Sequence, residues 1–367
     1  MEVKYSYLPE QFADFHEIFE KISRVIKTGD FTLGKEVAEF EEAFAARIGT
    51  KYAVGVNSGT DALFLSLKAA GIGPGDEVIT SPNTFIATGG AIAATGARPV
   101  FVDITDEFVI NPDLIEQAVT RRTRAIMPVH YAGVCCDMDR IMPIAHRHGL
   151  PVIEDSCQAI GAALNGKWAG SFGLAGGFSL HPLKNLNVWA DSGIAVTDSE
   201  TIRDHLILLR NHGLSSRDEV EFYGYNSRLD TVQAVVGLHL LPSLDWITQT
   251  RIKWAQRFDL ALAGLGGMVS VPARRPNKRY VHHLYMFMAQ DRNGLLAYLI
   301  DKGIEAKVHY PIPLHLQRCS AHLGYKEGDF PVTESQAKSI ITLPVHQHLT
   351  EEQVDYMIAM VKEYYGK

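Results

Sequence analysis

No stretch of this chain approaches the roughly 20 uninterrupted apolar residues that a membrane span needs. The opening Met1-Glu-Val-Lys-Tyr-Ser also lacks the basic-then-apolar order of a secretion signal. A cytoplasmic setting is therefore expected. Cysteine is scarce: Cys135 and Cys136 are adjacent, while Cys157 and Cys319 stand alone. There is no CxxC pair, and adjacent cysteines are too strained to bridge readily, so reduced thiols are expected rather than a disulfide framework. The 15 histidines contain no HExxH or comparable spacing, so no metal site is expected. Positive charge is short as well: 35 Lys and Arg against 42 Asp and Glu give a formal charge of -7, with no basic run. That balance argues against nucleic acid as a partner.

What the chain does have is 367 residues that are 46% hydrophobic and 21% charged, enough for a large core and for two domains. From about residue 50 to 200 a short β-branched run, a turn and a helix-like stretch recur. Strands are predicted at Tyr52–Val56, Glu77–Ser81, Pro99–Val102, Arg124–Val129, Leu150–Glu154, Gly177–Leu180 and Gly193–Thr197. Helices are predicted between the first five, at Thr60–Ala70, Thr84–Thr95, Pro112–Val119 and Met138–His148. This is the βαβ signature of an α/β fold with a largely parallel, buried sheet, whose active sites lie at strand carboxyl ends. Only a Gly-rich loop, Gly161 to Gly176, joins the fifth strand to the sixth, so one of the last three strands is free to run antiparallel. A helix-rich stretch from Leu229 to Leu265, broken at Pro242, follows. A second α/β cluster then has strands expected at His283–Met288 and Ile304–Val308 and helices at Asn293–Lys302 and Glu351–Tyr365. The division expected is a large domain over 30–245 and a smaller C-terminal one over 246–367, completed by residues 1–29 with their helix around Phe12–Lys27.

Three segments carry chemistry. Asn57-Ser58-Gly59-Thr60-Asp61 sits between a strand and a helix, where small residues either cap the helix or let its free amides cradle a phosphate. Glu154-Asp155-Ser156-Cys157-Gln158 ends the fifth strand. Period-two alternation sends its two carboxylates to opposite sides, so only one easily faces a ligand; the other reading of Asp155 is a cap for the next element. A carboxylate beside a pyridine nitrogen would keep that nitrogen protonated. Phe178-Ser179-Leu180-His181-Pro182-Leu183-Lys184-Asn185 is an apolar strand running into a loop with one lysine. A desolvated amine there has a lowered pKa and can form a Schiff base, whereas most loop lysines are simply solvated. His181 is expected to be a structural histidine. Phosphate cradle, pyridinium partner and Schiff-base lysine together fit one cofactor, pyridoxal 5'-phosphate (PLP).

With these residues in view the chain resembles the DegT/DnrJ/EryC1/StrS family of sugar aminotransferases, within fold type I of the PLP enzymes. The likeness runs over nearly the whole chain, through Gly29-Asp30-Phe31-Thr32-Leu33-Gly34, the Asn57 and Glu154 segments, Thr84-Phe85-Ile86-Ala87-Thr88, Gly224-Tyr225-Asn226-Ser227-Arg228 and Val308-His309-Tyr310-Pro311. It implies a seven-stranded, mostly parallel sheet. It also implies that Lys184 carries PLP, that Asp155 pairs with the ring nitrogen, that Phe85 stacks on the ring and that Gln158 lies close to it. By the same likeness Ser58, Gly59, Thr60 and Ser179 surround the phosphate, and Asn226 reaches it from the second subunit of a homodimer with shared active sites. His309, Tyr310 and Arg228 fall near the substrate. The activity implied is ping-pong transamination from an amino acid, glutamate, to a keto-sugar linked to a nucleotide. The alternatives are a sugar dehydratase, against which Lys184 itself argues, and an idle regulatory relative, against which the retained site residues argue. One departure is Trp189-Ala190-Asp191-Ser192-Gly193, bulkier and with one glycine fewer than the family pattern, which puts the local backbone and the substrate pocket in question.

Overall fold

The computed structural model describes residues 1–366. After a single helical turn at Leu8–Gln11, two longer helices, α1 (Phe15–Thr28) and α2 (Lys35–Ile48), precede the sheet. Then follow β1 (Tyr52–Val56), α3 (Gly59–Ala69), β2 (Glu77–Thr80), α4 (Ile86–Ala94), β3 (Arg98–Phe101), β4 (Thr123–Ile126) and α5 (Met138–Arg147). β5 (Ile153–Asp155), β6 (Ala175–Ser179) and β7 (Gly193–Thr197) complete the α/β unit.

The strands pair as two ladders, β1-β7-β6-β5 and β3-β2-β4. They adjoin through single parallel bridges, Ile126 with Val152 and Val129 with Asp155, so the seven strands lie side by side without one uninterrupted ladder. β7 alone runs against its neighbours. No helix crosses back between β6 and β7, and a chain that stays at one end of a sheet must return antiparallel. The consequence for function is direct. The carboxyl ends of β1, β2, β5 and β6 and the start of β7 share one edge, and Ser58, Phe85, Asp155, Ser179 and Gly193 are gathered there.

Both faces of the sheet are covered, as parallel strands require. On one side Val54, Val56, Ile153 and Ala195 pack under Leu63, Leu65 and Leu67 of α3. On the other Phe178, Ile194 and Val196 meet Phe40 and Phe44 of α2. Ile18, Ile22 and Val25 form the buried stripe of α1, spaced to share one helix face, and join this second core rather than the C-terminal one.

Beyond β7 come α6 (Glu200–Arg210), α7 (Thr231–Leu240) and α8 (Leu244–Leu262), with a 3-10 turn at Leu241–Ser243 marking the break expected at Pro242. The C-terminal part is a three-stranded antiparallel sheet of β8 (Val269–Ser270), β9 (Tyr285–Ala289) and β10 (Ile340–Leu343). It is packed with α8, α9 (Arg292–Asp301) and α10 (Glu351–Tyr364) around Trp254, Phe258, Phe287, Leu295 and Val354. Val3 enters the same core. The strand expected at Ile304–Val308 is not formed: this stretch makes only isolated bridges, Val3 with Ile304 and Lys307 with Thr342. The strand partner of β9 is instead the Ile-Ile-Thr-Leu run of β10.

Gly193 holds the site edge together. A Cβ there would lie 2.1 Å from the carbonyl oxygen of Ser58 and 2.7 Å from the amide of Gly59, distances no backbone tolerates. Gly193→Ala should therefore push the Ser58–Gly59 turn off β7 and cost about 1–3 kcal/mol or more. A urea midpoint for the variant equal to that of the wild type would contradict this close approach.

Candidate active site

A cavity of about 340 Å³ opens at the shared strand edge. Ser58, Gly59, Thr60, Phe85, Ser179, Lys184, His309 and Tyr310, all singled out in the sequence, line it together with Tyr5, Cys157, His181, Asp191, His283 and Lys307. Its floor is the start of α3. Ser58 caps that helix, its Oγ accepting from the amide of Asp61 at 3.0 Å. The amides of Gly59 and Thr60 precede any intrahelical acceptor and are left for a ligand. The turn is close-packed: a Cβ on Gly59 would lie 2.6 Å from the Ser179 Cβ and 3.0 Å from Cys157 Sγ.

The pleat of β5 separates its two carboxylates as expected. Asp155 is buried on the cavity side, where Thr88 Oγ1 donates to Oδ2 at 2.6 Å and the Cys157 amide donates to Oδ1 at 3.1 Å. Thr88 is aimed by Thr84, whose hydroxyl lies 2.7 Å from it. Glu154 turns the other way. Its oxygens accept from the amides of Gly170, Phe172 and Gly173 at 2.6 to 2.8 Å and contact His130 Nε2 at 2.8 Å. The Cys136 amide donates to His130 Nδ1 at 3.0 Å, so the ring proton sits on Nε2 and is given to Glu154.

Lys184 stands in the loop between β6 and β7, and burial lowers its amine pKa, opposed only in part by Cys157 and by the Asp155 carboxylate. Burial likewise lowers the pKa of three cavity imidazoles. His181 and His283 are lowered further by the Lys184 charge, and His309 is brought down to about 4, with Lys307 and Lys184 adding to the effect. His181, expected to be structural, is thus a wall of the cavity. His283 Nδ1 is a buried polar atom with no partner among the described residues. The ring of Phe85 is 49% exposed over the cavity and 5.7 Å from that of Tyr310. Burial pushes the Tyr310 phenol up to about 12. Gln158 is buried behind it, its Oε1 accepting from the Ala132 amide at 2.8 Å.

Four of the sequence candidates do not line this cavity: Asp155 and Gln158 are buried beside it, and Asn226 and Arg228 lie apart from it. Asn226 is exposed and bridges to Asn211, and the Arg228 guanidinium donates to Asn211 Oδ1 at 3.0 Å. The loop that bears them is moored to the first turn of α3 by Ser227, whose hydroxyl donates to Asp61 at 2.7 Å and accepts from the Asn57 amide at 3.3 Å. Trp189 is not at the cavity either. It packs edge-on against Phe12 at 5.9 Å and against Phe19 at 5.6 Å, so its bulk is taken up by the N-terminal helix and not by the pocket. Tyr5 and Lys307 were missed in the sequence, and neither carries a local signal that would have revealed it; Asp191 lies in the segment whose departure from the family pattern raised the question of the pocket.

The DegT/DnrJ/EryC1/StrS aminotransferase family matches residues 13–362, and the chain belongs to it. It is 42% identical over 361 residues to a pleiotropic regulatory protein of Geobacillus stearothermophilus, covering 98% of this chain and 97% of that one. It is 41% identical to a dTDP-3-amino-3,4,6-trideoxy-alpha-D-glucose transaminase of Streptomyces venezuelae, over 94% of this chain and 90% of the relative. The crystal structure of S. venezuelae DesV in complex with a ketimine intermediate superposes with a TM-score of 0.97 at 39% identity, covering 100% of this chain and 99% of that one. The protein is an aminotransferase of fold type I, and its cofactor is PLP. The cavity fits that group: a desolvated amine with the buried Asp155 carboxylate close to it, an exposed aromatic face, free helix amides and an orphaned imidazole nitrogen meet there.

The neutral imidazoles give a pH dependence. The folded state resists protonating them, so the unfolded chain binds more protons once pH falls below about 6.5, the ordinary imidazole value. Stability is full above that point and is lost as pH falls toward about 4, the value for His309. Between pH 7 and pH 5, His309 should cost on the order of 2 kcal/mol, and His309→Gln should flatten the slope. Urea midpoints at the two pH values measure this, and an unchanged midpoint in the wild type would overturn it.

Proposed function

We propose that the chain moves an amino group from an amino acid, glutamate, to the ketone carbon of a nucleotide-linked sugar in two half-reactions. The observation that carries this reading is the meeting, in one cavity, of a desolvated Lys184 with the open start of α3, with the Asp155 carboxylate close enough to Lys184 to act on its charge. Lys184 would hold PLP, with Asp155 at the ring nitrogen, Phe85 on the ring face and Gln158 near the ring. Ser58, Gly59, Thr60 and Ser179 would surround the phosphate. When bound, PLP supplies a pyridinium ring that delocalises the electron pair left as a proton departs the substrate carbon.

The chain's own groups do the rest. Lys184 Nζ, kept partly neutral by burial, takes the proton from the donor's Cα and returns it at a neighbouring position. Asp155, fixed by Thr88 and the Cys157 amide, places negative charge where a protonated ring nitrogen needs it. His181, His309 and Tyr310, uncharged at neutral pH, offer hydrogen bonds to sugar hydroxyls without demanding a counter-charge. The names of relatives that act on dTDP- and UDP-linked sugars support the nucleotide-linked acceptor.

The working form we propose is a homodimer in the cytoplasm with shared sites, Asn226 and Arg228 serving the partner's cavity. Support comes from the loop beside them, where Val220 is 56% and Tyr223 99% exposed, apolar surface suited to a second copy. The proposed domain division is 30–245 and 246–367. Residues 1–29 serve both parts, since Val3 packs in one core and α1 in the other.

Lys184→Ala should lower turnover at least about a thousandfold while leaving the fold intact, and near-normal transamination by the variant would remove Lys184 from its role. Asp155→Asn should keep the cofactor but lose at least about tenfold in kcat, where an unchanged kcat would leave Asp155 a cap. To identify the acceptor, the enzyme is converted to its pyridoxamine form with glutamate and offered UDP- and dTDP-linked keto-hexoses, free keto-sugars and cyclitol ketones. Return of the PLP spectrum with the nucleotide-linked ketones supports the proposal, and return only with the others overturns it. An inactive Lys184→Ala chain mixed with an inactive Asn226 variant should regain activity in demonstrated mixed dimers. No activity there would place Asn226 in its own chain's service.

A further inference from the structure

The hydroxyl of Tyr7 donates to the main-chain carbonyl of Lys184 at 3.1 Å, across 177 residues of sequence. Its oxygen in turn accepts from Arg251 Nη2 at 2.8 Å. Arg251 is only 1% exposed, and its described partners are all uncharged oxygens. Nη1 donates to the carbonyls of Val345 at 2.8 Å and His282 at 3.2 Å, and Nε donates to Gln347 Oε1 at 3.3 Å. A guanidinium buried against neutral acceptors is costly to keep, and its retention calls for a reason other than stability. The geometry gives one. The fork ties together Tyr7, the segment that brings His283 into the cavity, and the turn after β10.

Tyr7 has little freedom left. Its ring stacks on His346 at 4.9 Å and lies 5.3 Å from the Arg251 guanidinium, so the direction of the hydroxyl is set. A second tether acts on the next residue, where Asn185 Nδ2 donates to the Val281 carbonyl at 3.0 Å. Residues 184 and 185 are thereby held to the same segment that Arg251 binds.

We propose that Tyr7, locked by Arg251, is a positioning residue for Lys184: it fixes the main chain there so that Nζ meets cofactor and substrate in one geometry. This rests on Lys184 being the reactive amine. Tyr7→Phe keeps the ring and removes only the hydroxyl. In the holoenzyme its kcat should fall about three- to tenfold, the range of one lost hydrogen bond, with the KM for glutamate unchanged. In protein stripped of cofactor, amide exchange over residues 181–187 should quicken while that of β10 stays as in the wild type. Arg251→Lys, which keeps the charge but not the fork, should reproduce both effects, and it decides the matter by the same readouts if Tyr7→Phe does not fold. Wild-type kcat with unaltered exchange, a change in KM alone, or equal loosening of β10 would overturn the proposal. If the unaltered enzyme does not transaminate, the functional reading fails, yet the exchange data still decide whether Tyr7 holds the lysine loop.

Discussion

Two neighbouring carboxylates are buried at the end of β5, and the rest of the site depends on how each is satisfied. An unpaired buried carboxylate would be neutralised or would unfold its surroundings. Glu154 avoids this with three backbone amides and His130, and in doing so holds the Gly-rich loop between β5 and β6. Asp155, one residue on, is held by fewer partners and lies near Lys184. The pleat thus turns one acid into the loop behind the edge and leaves the next beside Lys184. Exchanging them would require a one-residue slip of β5, which would also take Ile153 out of the core it shares with α3 and turn it to the opposite face.

Much of this was legible in the sequence because it follows from local rules. The alternation of Glu154 and Asp155, the capping turn at Ser58 and the lone lysine after an apolar strand each need only a strand period or a helix start. That one of the last three strands is free to turn back was legible too, but not which: β6, joined to β5 by the Gly-rich loop, runs parallel to it, and β7 is the antiparallel one. The illegible parts depend on contacts between distant segments. Tyr5 and Lys307 reach the cavity only because the N-terminal arm crosses the C-terminal part, where Val3 pairs with Ile304. β10 was overlooked because a four-residue Ile-Ile-Thr-Leu run carries too little periodicity. Ile304–Val308 has strand-like composition yet meets its neighbours only at single residues.

His181 and Trp189 show the same limit from two sides. The histidine was expected to be structural and lines the cavity, while the tryptophan was expected to disturb the pocket and packs on α1 instead. Neither outcome follows from residue type. Both depend on which way the loop between β6 and β7 turns over the sheet edge.

That loop has a further consequence. Each of its ends continues directly into an interior strand, with Ser179 paired to Gly193 at its mouth. A segment clipped at both ends in this way can shift only between its clips, and its middle, Leu186 and Val188, is itself sunk in the core. Of the loop, His181, Leu183, Lys184 and Asp191 reach the cavity, while Asn187 and Val188 are buried and Trp189 packs against α1. The amine of Lys184 keeps its address because the strands anchor the loop at its mouth and hydrogen bonds from Tyr7 and Asn185 anchor it within.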